Sequence, residues 1–558
     1  MARIKSIAFN AQTPDALKYQ EYGEDWPVVY IINNDKEAYV GETVNAAIRA
    51  GQHFKNPQRR RLTKISLISD EKFNKSVILD LENYLINYMS GDGKFQLQNS
   101  NMGMHPHSYY QKDEYEQEFQ KIWEELRKAH LAKNTIKHIE NTDLFKYSPY
   151  KSLSSDQYRI VDAIVQKLVD YQEHGKGQTM LVNGGAGTGK TVLAIYLMKL
   201  LAEAGTGIIE NDIEMDPGYQ YIAENLRKLK KMKIAFVVPM QSLRTTVKRV
   251  FREVRSLNVS MVLSPTQVPR DTYDLLIVDE AHRLRQRKAL AQYPSFDNNN
   301  SIFGLGKEGT ELDWILGSSK NHVLFYDSMQ TVKPSDIDME RFTDLQKQIG
   351  NKNIYELKSQ FRCQGGEDYI QYVKSILSDD PPKEKKSFSG TYDFMLCDDP
   401  DVLIEEIQEK DTMYGLCRVV AGYAWPWKSK ENPGEMDITI GSKSFQWNTV
   451  NKDWVNSDNA INEIGCIHTI QGYDLNYAGV IFGNEIKYDK KKKCIVVDKR
   501  EYHDLQGKTA LKDMKELKEY ITNIYATLMT RGIRGTYVYV CDPNLREYMK
   551  QYIPLAKS

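Results

Sequence analysis

The sequence has no excess of charge of either sign: lysine plus arginine and aspartate plus glutamate both number 75 in 558 residues. Global charge therefore selects no partner, and any contact with a polyanion must come from a local cluster of cations. Cysteine is sparse. Cys363, Cys397, Cys417, Cys466, Cys494 and Cys541 are scattered with no C-x-x-C pair and no zinc-type spacing, which excludes a disulfide framework and fits buried thiols in a reducing compartment. No apolar stretch reaches the roughly 20 residues of a membrane span, and the opening MARIKSIAFN lacks the apolar core of a secretory signal. The expectation is a cytoplasmic protein with no membrane partner. What is present is room for about three or four domains and an apolar content of 41%, enough for real cores.

The chain is organised around residues 178–200, QTMLVNGGAGTGKTVLAIYLMKL, where an apolar run breaks into a glycine-rich turn and resumes at helical spacing. The pattern predicts strand, loop and helix. Gly184, Gly185, Ala186, Gly187, Thr188, Gly189, Lys190 and Thr191 fit G-x-x-x-x-G-K-[ST], a loop whose backbone N–H groups curl around phosphate oxygens and leave no room for side chains. Lys190 then reaches the terminal phosphates of ATP, Thr191 offers a hydroxyl to magnesium, and the helix presents its positive end to the anion. Farther on, DLLIVDEAH is an apolar strand ending in Asp279, placed to hold the magnesium shell, and Glu280, placed to polarise an attacking water. His282 reads as a coupling residue. HVLFYDSMQ is another buried strand, ending in Asp327 and Gln330 near the γ-phosphate position. Hydroxyls and N–H groups at Ser242, Arg244 and Thr245 suit phosphates along a nucleic-acid strand.

Upstream, Ser154, Ser155 and Asp156 cap an amphipathic helix, and Leu-Ser-x-Asp-Gln resembles the helicase segment whose glutamine, here Gln157, reads adenine. Beyond it lie IYELKSQFRC with Gln360 and Arg362, GCIHTIQGYDLNYAGVIFG with His468, Thr469, Gln471 and Gly472, and NIYATLMTRGIRGTYVYVCD with Thr530, Arg531 and Arg534. In order, these blocks resemble the later motifs of superfamily 1 helicases, and most of all the Schlafen group 3-like helicase domain, over roughly residues 150–545. The resemblance implies two RecA-like domains with ATP between them, where Arg362 and Arg531 or Arg534 touch the γ-phosphate. It implies translocation on nucleic acid; strong unwinding is not implied, because the large extra subdomains of processive members are missing. Tyr423, Trp425 and Trp427 read as core packing, with base stacking the alternative. Lys490 to Lys493 read as a hairpin turn, either a nucleic-acid contact or an edge-strand gatekeeper.

The N-terminal stretch WPVVYIINNDKEAYVGETVNAAIRAGQHF reads as two strands joined by a turn, then a helix from about Val44. Arg49 and His53, at i and i+4, leave one helical face and can be aimed at one site with Tyr30 and Tyr39. SVILDLENYLINYM is an amphipathic helix with Ile78, Leu81, Leu85, Ile86 and Met89 on its apolar face and Glu82 among them. Together these residues resemble the GIY-YIG endonuclease family: Val28-Val29-Tyr30 and Tyr39-Val40-Gly41 stand for its two motifs, and Arg49, Glu82 and Asn99 or Asn101 for its other positions. The resemblance implies metal-assisted phosphodiester hydrolysis, with Glu82 holding one magnesium or manganese ion, Tyr30 or Tyr39 activating water, and Arg49 stabilising the transition state. Lys55, Arg59, Arg60, Arg61 and Lys64 form either a phosphate clamp or a solvated loop face. His105 and His107 read as surface residues.

The expected architecture is α/β: a small α+β GIY-YIG-like domain (1–110), a helical connector (111–150) in which a helix from Asp113 to about Lys133 carries Phe119, Ile122, Trp123 and Leu126 inward, and two RecA-like parallel-sheet domains (151–345 and 346–558). The leading functional expectation is an ATP-driven nucleic-acid motor fused to a metal-dependent endonuclease, acting on DNA rather than RNA, in bacterial defence against foreign DNA or in repair. The alternatives are a nucleotide-switched nucleic-acid-binding protein with a non-cleaving N-terminal module, and a regulatory ATPase acting on protein partners.

Overall fold

A computed structural model of the chain describes residues 2–99, 109–151, 153–185, 187–206, 217–288, 290, 292–327, 335–360, 363–450, 453–470, 473–504 and 513–556. The N-terminal domain is a five-stranded sheet of β1 (Arg3–Ala8), β2 (Val28–Asn33), β3 (Glu37–Thr43), β4 (Lys64–Ser69) and β5 (Gln96–Leu97) in the order β1-β4-β2-β3-β5. All pairings are antiparallel except β3 with β5. Every residue of β2 is buried, because alternate side chains enter different cores. Val29 and Ile31 join Ile78, Leu81, Leu85 and Ile86 of the Lys75–Asp92 helix; Val28, Tyr30 and Ile32 join Ala46, Ala47 and Ala50 of the Ala46–Lys55 helix.

The Lys112–Lys128 helix lays Phe119, Ile122, Trp123 and Leu126 inward, as the spacing predicts. Phe119 and Trp123 meet Tyr84 and Tyr88 of the preceding helix at ring distances of 5.5 and 5.8 Å. Truncating a buried side chain as large as Trp123 costs about 3–5 kcal/mol, so this part of the connector is a packed layer of the N-terminal domain rather than a loose linker. The same apolar cluster runs on through Tyr150 and Leu153 into the first motor domain. Arg255 of that domain reaches back, donating to Gln58 at 3.1 Å and standing 3.7 Å from Glu37.

The first motor sheet holds β6 (Thr179–Gly184), β7 (Ile234–Val237), β8 (Val262–Leu263), β9 (Tyr273–Val278), β10 (Ser319–Tyr326) and β11 (Ile354–Leu357), all parallel, in the order β11-β6-β10-β9-β7-β8. The expected boundary at 345 is therefore too early. β11 pairs with β6, Leu357 opposite Gly184, and belongs to the first domain because parallel pairing joins strands far apart in sequence. The second sheet holds β12 (Asp393–Leu396), β13 (Arg418–Ala421), β16 (Ile464–Cys466), β17 (Leu475–Phe482) and β20 (Gly532–Val540), parallel in the order β12-β20-β17-β13-β16. Two hairpins decorate it, β14 (Ile438–Ile440) with β15 (Lys443–Phe445) and β18 (Ile486–Asp489) with β19 (Cys494–Val497). Lys490 to Lys493 form the second hairpin's turn, in which Asp489 accepts from the N–H groups of Lys491 and Lys492. Tyr423 and Trp425, both half-buried, pack against the fully buried Trp447 at the margin of its core. Both parallel-sheet domains are RecA-like α/β units. Among the described residues no helix is long and apolar enough to cross a membrane.

Two candidate active sites

β6 ends at Gly184, and the loop that follows turns into the Lys190–Glu203 helix. Gly187 and Gly189 have φ of 85° and 78°, a left-handed conformation that side chains disfavour. The Lys190 ammonium folds onto the loop, donating to the carbonyls of Gly184 at 2.7 Å and Gly185 at 2.9 Å, and stands 3.9 Å from Asp327. Thr191 Oγ1 donates to Asp279 Oδ2 at 2.7 Å. Asp279 is fully buried; burial, and then the charge of Glu280, push its carboxyl up to about 7. Burial works against the anion of Glu280 too, yet His282, Lys190 and Arg283 hold its pKa well below the usual range. Of the adjacent pair, Asp279 is thus the weaker acid and Glu280 the stronger. Glu280 also sits at φ 49°, a conformation that turns it off the strand axis. His282 Nδ1 accepts the backbone N–H of Asp327 at 3.1 Å, which leaves the ring proton on Nε2, 3.0 Å from Glu280 Oε2. The ends of β9 and β10 are thereby joined through one imidazole.

In the N-terminal domain Tyr30, Tyr39, Arg49 and His53 converge on one pocket. Tyr30 lies across Gly41, where a Cβ would come within 2.3 Å of the phenol oxygen; the glycine is required by that approach. The Tyr30 oxygen meets His53 Nε2 at 2.7 Å and accepts from Arg49 Nε at 3.4 Å. The Tyr39 ring lies 4.8 Å from that of His53. Burial, and then the neighbouring Tyr39, raise the Tyr30 pKa well above its ordinary value; Arg49 opposes this and Glu82 adds to it. Glu82, half-buried on the helix that covers the other face of the sheet, is thus within electrostatic reach of Tyr30. Burial, then Arg59 and Arg49, lower the His53 pKa well below its ordinary value. Asn99 bridges β3 by accepting the N–H of Val40 at 3.1 Å and donating to its carbonyl at 2.8 Å.

Comparison with known proteins decides the motor. Residues 177–542, well over half of the chain, match the family described as Schlafen group 3, DNA/RNA helicase domain. The chain belongs to this family. An uncharacterised protein of Saccharomyces cerevisiae is 27% identical over 430 residues, covering 71% of this chain and 90% of its own length. Among solved structures, the Pif1 helicase from Candida albicans is 11% identical, with 72% of this chain and 98% of that chain covered and a TM-score of 0.29. For the Pif1 helicase from Bacteroides in complex with ADP-AlF3 and ssDNA the values are 11%, 67%, 91% and 0.25. At such scores the likeness carries no functional argument. The Schlafen group 3 match begins at residue 177, so the N-terminal domain rests on its own geometry.

Several expected residues of this Schlafen group 3 helicase domain are engaged by contacts within the chain. Gln157 is buried with its amide committed, the oxygen accepting the Ser154 N–H at 3.0 Å and the nitrogen donating to the Thr188 carbonyl at 3.3 Å. It braces the phosphate loop, because a glutamine three residues after a serine N-cap closes a capping box. Arg244 donates to the Val238 and Pro239 carbonyls at the end of β7 instead of presenting its charge. Arg534 lies over the Tyr414 ring of its own domain at 4.7 Å. Arg531 is buried where the Met514–Met529 helix passes into β20. Gln360 follows the strand that borders β6, one residue after Ser359, whose hydroxyl Asp156 accepts at 2.9 Å. Asp156, which also accepts the Lys358 N–H at 3.0 Å, is a tie that sequence reasoning took for a cap alone. Ala186, Gln330, Arg362, Gln471, Gly472, Asn101, His105 and His107 lie outside the described residues.

The cationic run separates. Arg60 and Arg61 are exposed, but Arg59 is buried, and its guanidinium lies over the Tyr39 ring at 3.8 Å and within 2.7 Å of His53 Nδ1. It is a residue of the pocket and not of a surface clamp.

Proposed function

We propose that this protein is an ATP-driven nucleic-acid translocase fused to a divalent-metal-dependent endonuclease that acts on DNA in preference to RNA. The observation that carries the cutting half is the convergence of two tyrosines, Arg49 and His53 on one face of the sheet, with Glu82 within electrostatic reach from the helix on the other face, in a domain packed continuously onto a helicase-family motor. In the motor, Lys190 neutralises the terminal phosphates, Glu280 polarises the attacking water, and Arg531, with Arg362, adds charge from the second domain. The Thr191 hydroxyl and Asp279 carboxylate, 2.7 Å apart, are hard oxygen donors that suit magnesium. In the N-terminal pocket Arg49 stabilises charge developing on the phosphate, while the Tyr30 or Tyr39 oxygen orients the water. A single carboxylate is enough for an ion that also takes substrate oxygens and waters, so Glu82 fits magnesium or manganese, which when bound supplies Lewis-acid activation of the phosphate. A motor that cuts serves defence against foreign DNA or repair alike.

The burial of Tyr30, 1% exposed, favours a second reading, in which the N-terminal domain docks on nucleic acid without cutting it. A nuclease assay on single-stranded, duplex and forked DNA and RNA, with magnesium or manganese and with or without ATP, separates the two. Cleavage that depends on the ion and vanishes in Glu82→Ala is the expected result; a Glu82→Ala protein that cuts like its parent returns the domain to the docking reading. ATP turnover indifferent to nucleic acid would point instead to a regulatory ATPase acting on protein partners.

A further inference from the structure

The direction of every hydrogen bond around His53 follows from a residue that cannot accept one. Arg59 is 7% exposed, and its guanidinium stands 2.7 Å from His53 Nδ1. A guanidinium has only donors, so Nδ1 must be the bare nitrogen, and the ring of a neutral histidine then carries its proton on Nε2. That nitrogen lies 2.7 Å from the Tyr30 oxygen. It donates there, and Arg49 Nε donates to the same oxygen from 3.4 Å. The phenol oxygen thus receives two N–H groups. Its own proton is turned away from both. We infer that Arg59 is a positioning residue that fixes His53 as a donor to Tyr30, so that the histidine orients the phenol and does not take its proton.

This rests on the endonuclease reading for its catalytic consequence but not for its structural content. The low pKa of His53, set first by burial and then by Arg59 and Arg49, agrees with a neutral ring. The face of Tyr39 beneath the Arg59 guanidinium, 3.8 Å away, offers a cation–π contact that holds the cation in place. Arg59 therefore links the second tyrosine to the first through the histidine.

The test has a spectroscopic arm and a kinetic arm. Histidine-selective 15N labelling of the full chain, with His53 assigned by its loss in His53→Gln, reads the tautomer directly. The expected spectrum has the proton on Nε2 and none on Nδ1; a protonated Nδ1 overturns the inference whether or not the protein cuts. Arg59→Met, which keeps the length of the side chain without a donor, should lose the single tautomer. On a forked DNA oligonucleotide with magnesium it should lower kcat on the order of tenfold or more while KM moves less than about twofold. Arg59→Lys, which can still donate to Nδ1, should restore the tautomer and most of kcat. A kcat in Arg59→Met within twofold of a cutting parent overturns the positioning role, as does a Lys variant that fares no better than Met while folded. If Met prevents folding, the parent spectrum and the Lys variant decide alone. A parent with the Nε2 tautomer that never cuts supports the hold on His53 and overturns the endonuclease reading.

Discussion

Two histidines in separate domains are held by the same device and put to different uses. At the motor site a backbone N–H occupies His282 Nδ1, and Nε2 stands 3.0 Å from the Glu280 carboxylate. In the N-terminal pocket the Arg59 guanidinium occupies His53 Nδ1 and Nε2 faces the Tyr30 phenol. What differs is the source of the fixing donor. A backbone donor at the end of β10 moves only when the sheet moves, so His282 is tied to the relative position of two strands. A side-chain donor such as Arg59 is replaceable by a single substitution, whereas the backbone N–H of Asp327 is not. The neighbouring charges differ as well. Glu280 sits among His282, Lys190 and Arg283 and stays anionic, whereas Tyr30 is buried and held far from ionisation despite Arg49.

The largest effect on this comparison comes from removing the motor's charges. Lys190→Ala and Glu280→Gln should each lower ATP turnover on the order of a thousandfold or more. They should part company in binding: Glu280→Gln retains ATP, and Lys190→Ala binds it weakly, as equilibrium dialysis with labelled nucleotide would show. Equal tight binding by both would remove Lys190 from its role. Next in size is the imidazole itself. His282→Leu loses the acceptor of the Asp327 N–H and the imidazole nitrogen beside Glu280, and turnover should fall about tenfold to a hundredfold, the usual loss for a group that orients a reacting one. His282→Gln, whose amide can accept at one end and donate at the other, should recover most of it; a Leu variant as fast as parent would break the parallel between the two histidines.

A smaller effect sharpens the contrast between carboxylates. Glu485 is fully buried, accepts the Tyr525 hydroxyl, and has no cation beside it among the described residues, so burial raises its pKa from 4.5 to about 7. The folded state then binds the proton more tightly than the unfolded one, and stability is lost as pH rises through the interval between the two pKa values. Glu485→Gln removes that loss. Between pH 5 and 8, denaturant unfolding should show the variant gaining on its parent by roughly 2–3 kcal/mol, whereas a pH-independent difference would mean that Glu485 is not protonated in the fold.

The parts of both sites that the sequence made legible are those in which backbone geometry dictates residue type. Gly187 and Gly189 were readable because a loop with positive φ tolerates little else, and Asp279 and Glu280 because an apolar strand must end in the carboxylates it delivers. The i, i+4 pair Arg49 and His53 was readable for the same reason: helical periodicity aims both at β2. Arg59 was not, because it follows the helix in a short 3-10 turn, where no period shows which of three consecutive arginines points inward. The place of β11 was hidden because its partner, β6, lies far away in sequence and parallel pairing leaves no local mark. The hold of Gln157 on the Thr188 carbonyl leaves no mark in the motif, because its partner lies on a loop far along the chain.

The central claim is that one chain carries two chemically independent sites. It is tested most directly by measuring ion-dependent cleavage and nucleic-acid-stimulated ATP turnover on the same preparations of the parent, Glu82→Ala and Glu280→Gln. The account predicts that Glu82→Ala abolishes cleavage and leaves stimulated ATP turnover within about twofold of the parent, while Glu280→Gln abolishes turnover and still cuts when ATP is omitted. Cleavage by Glu82→Ala at the parental rate, or loss of both activities in either variant while it remains folded, would contradict it.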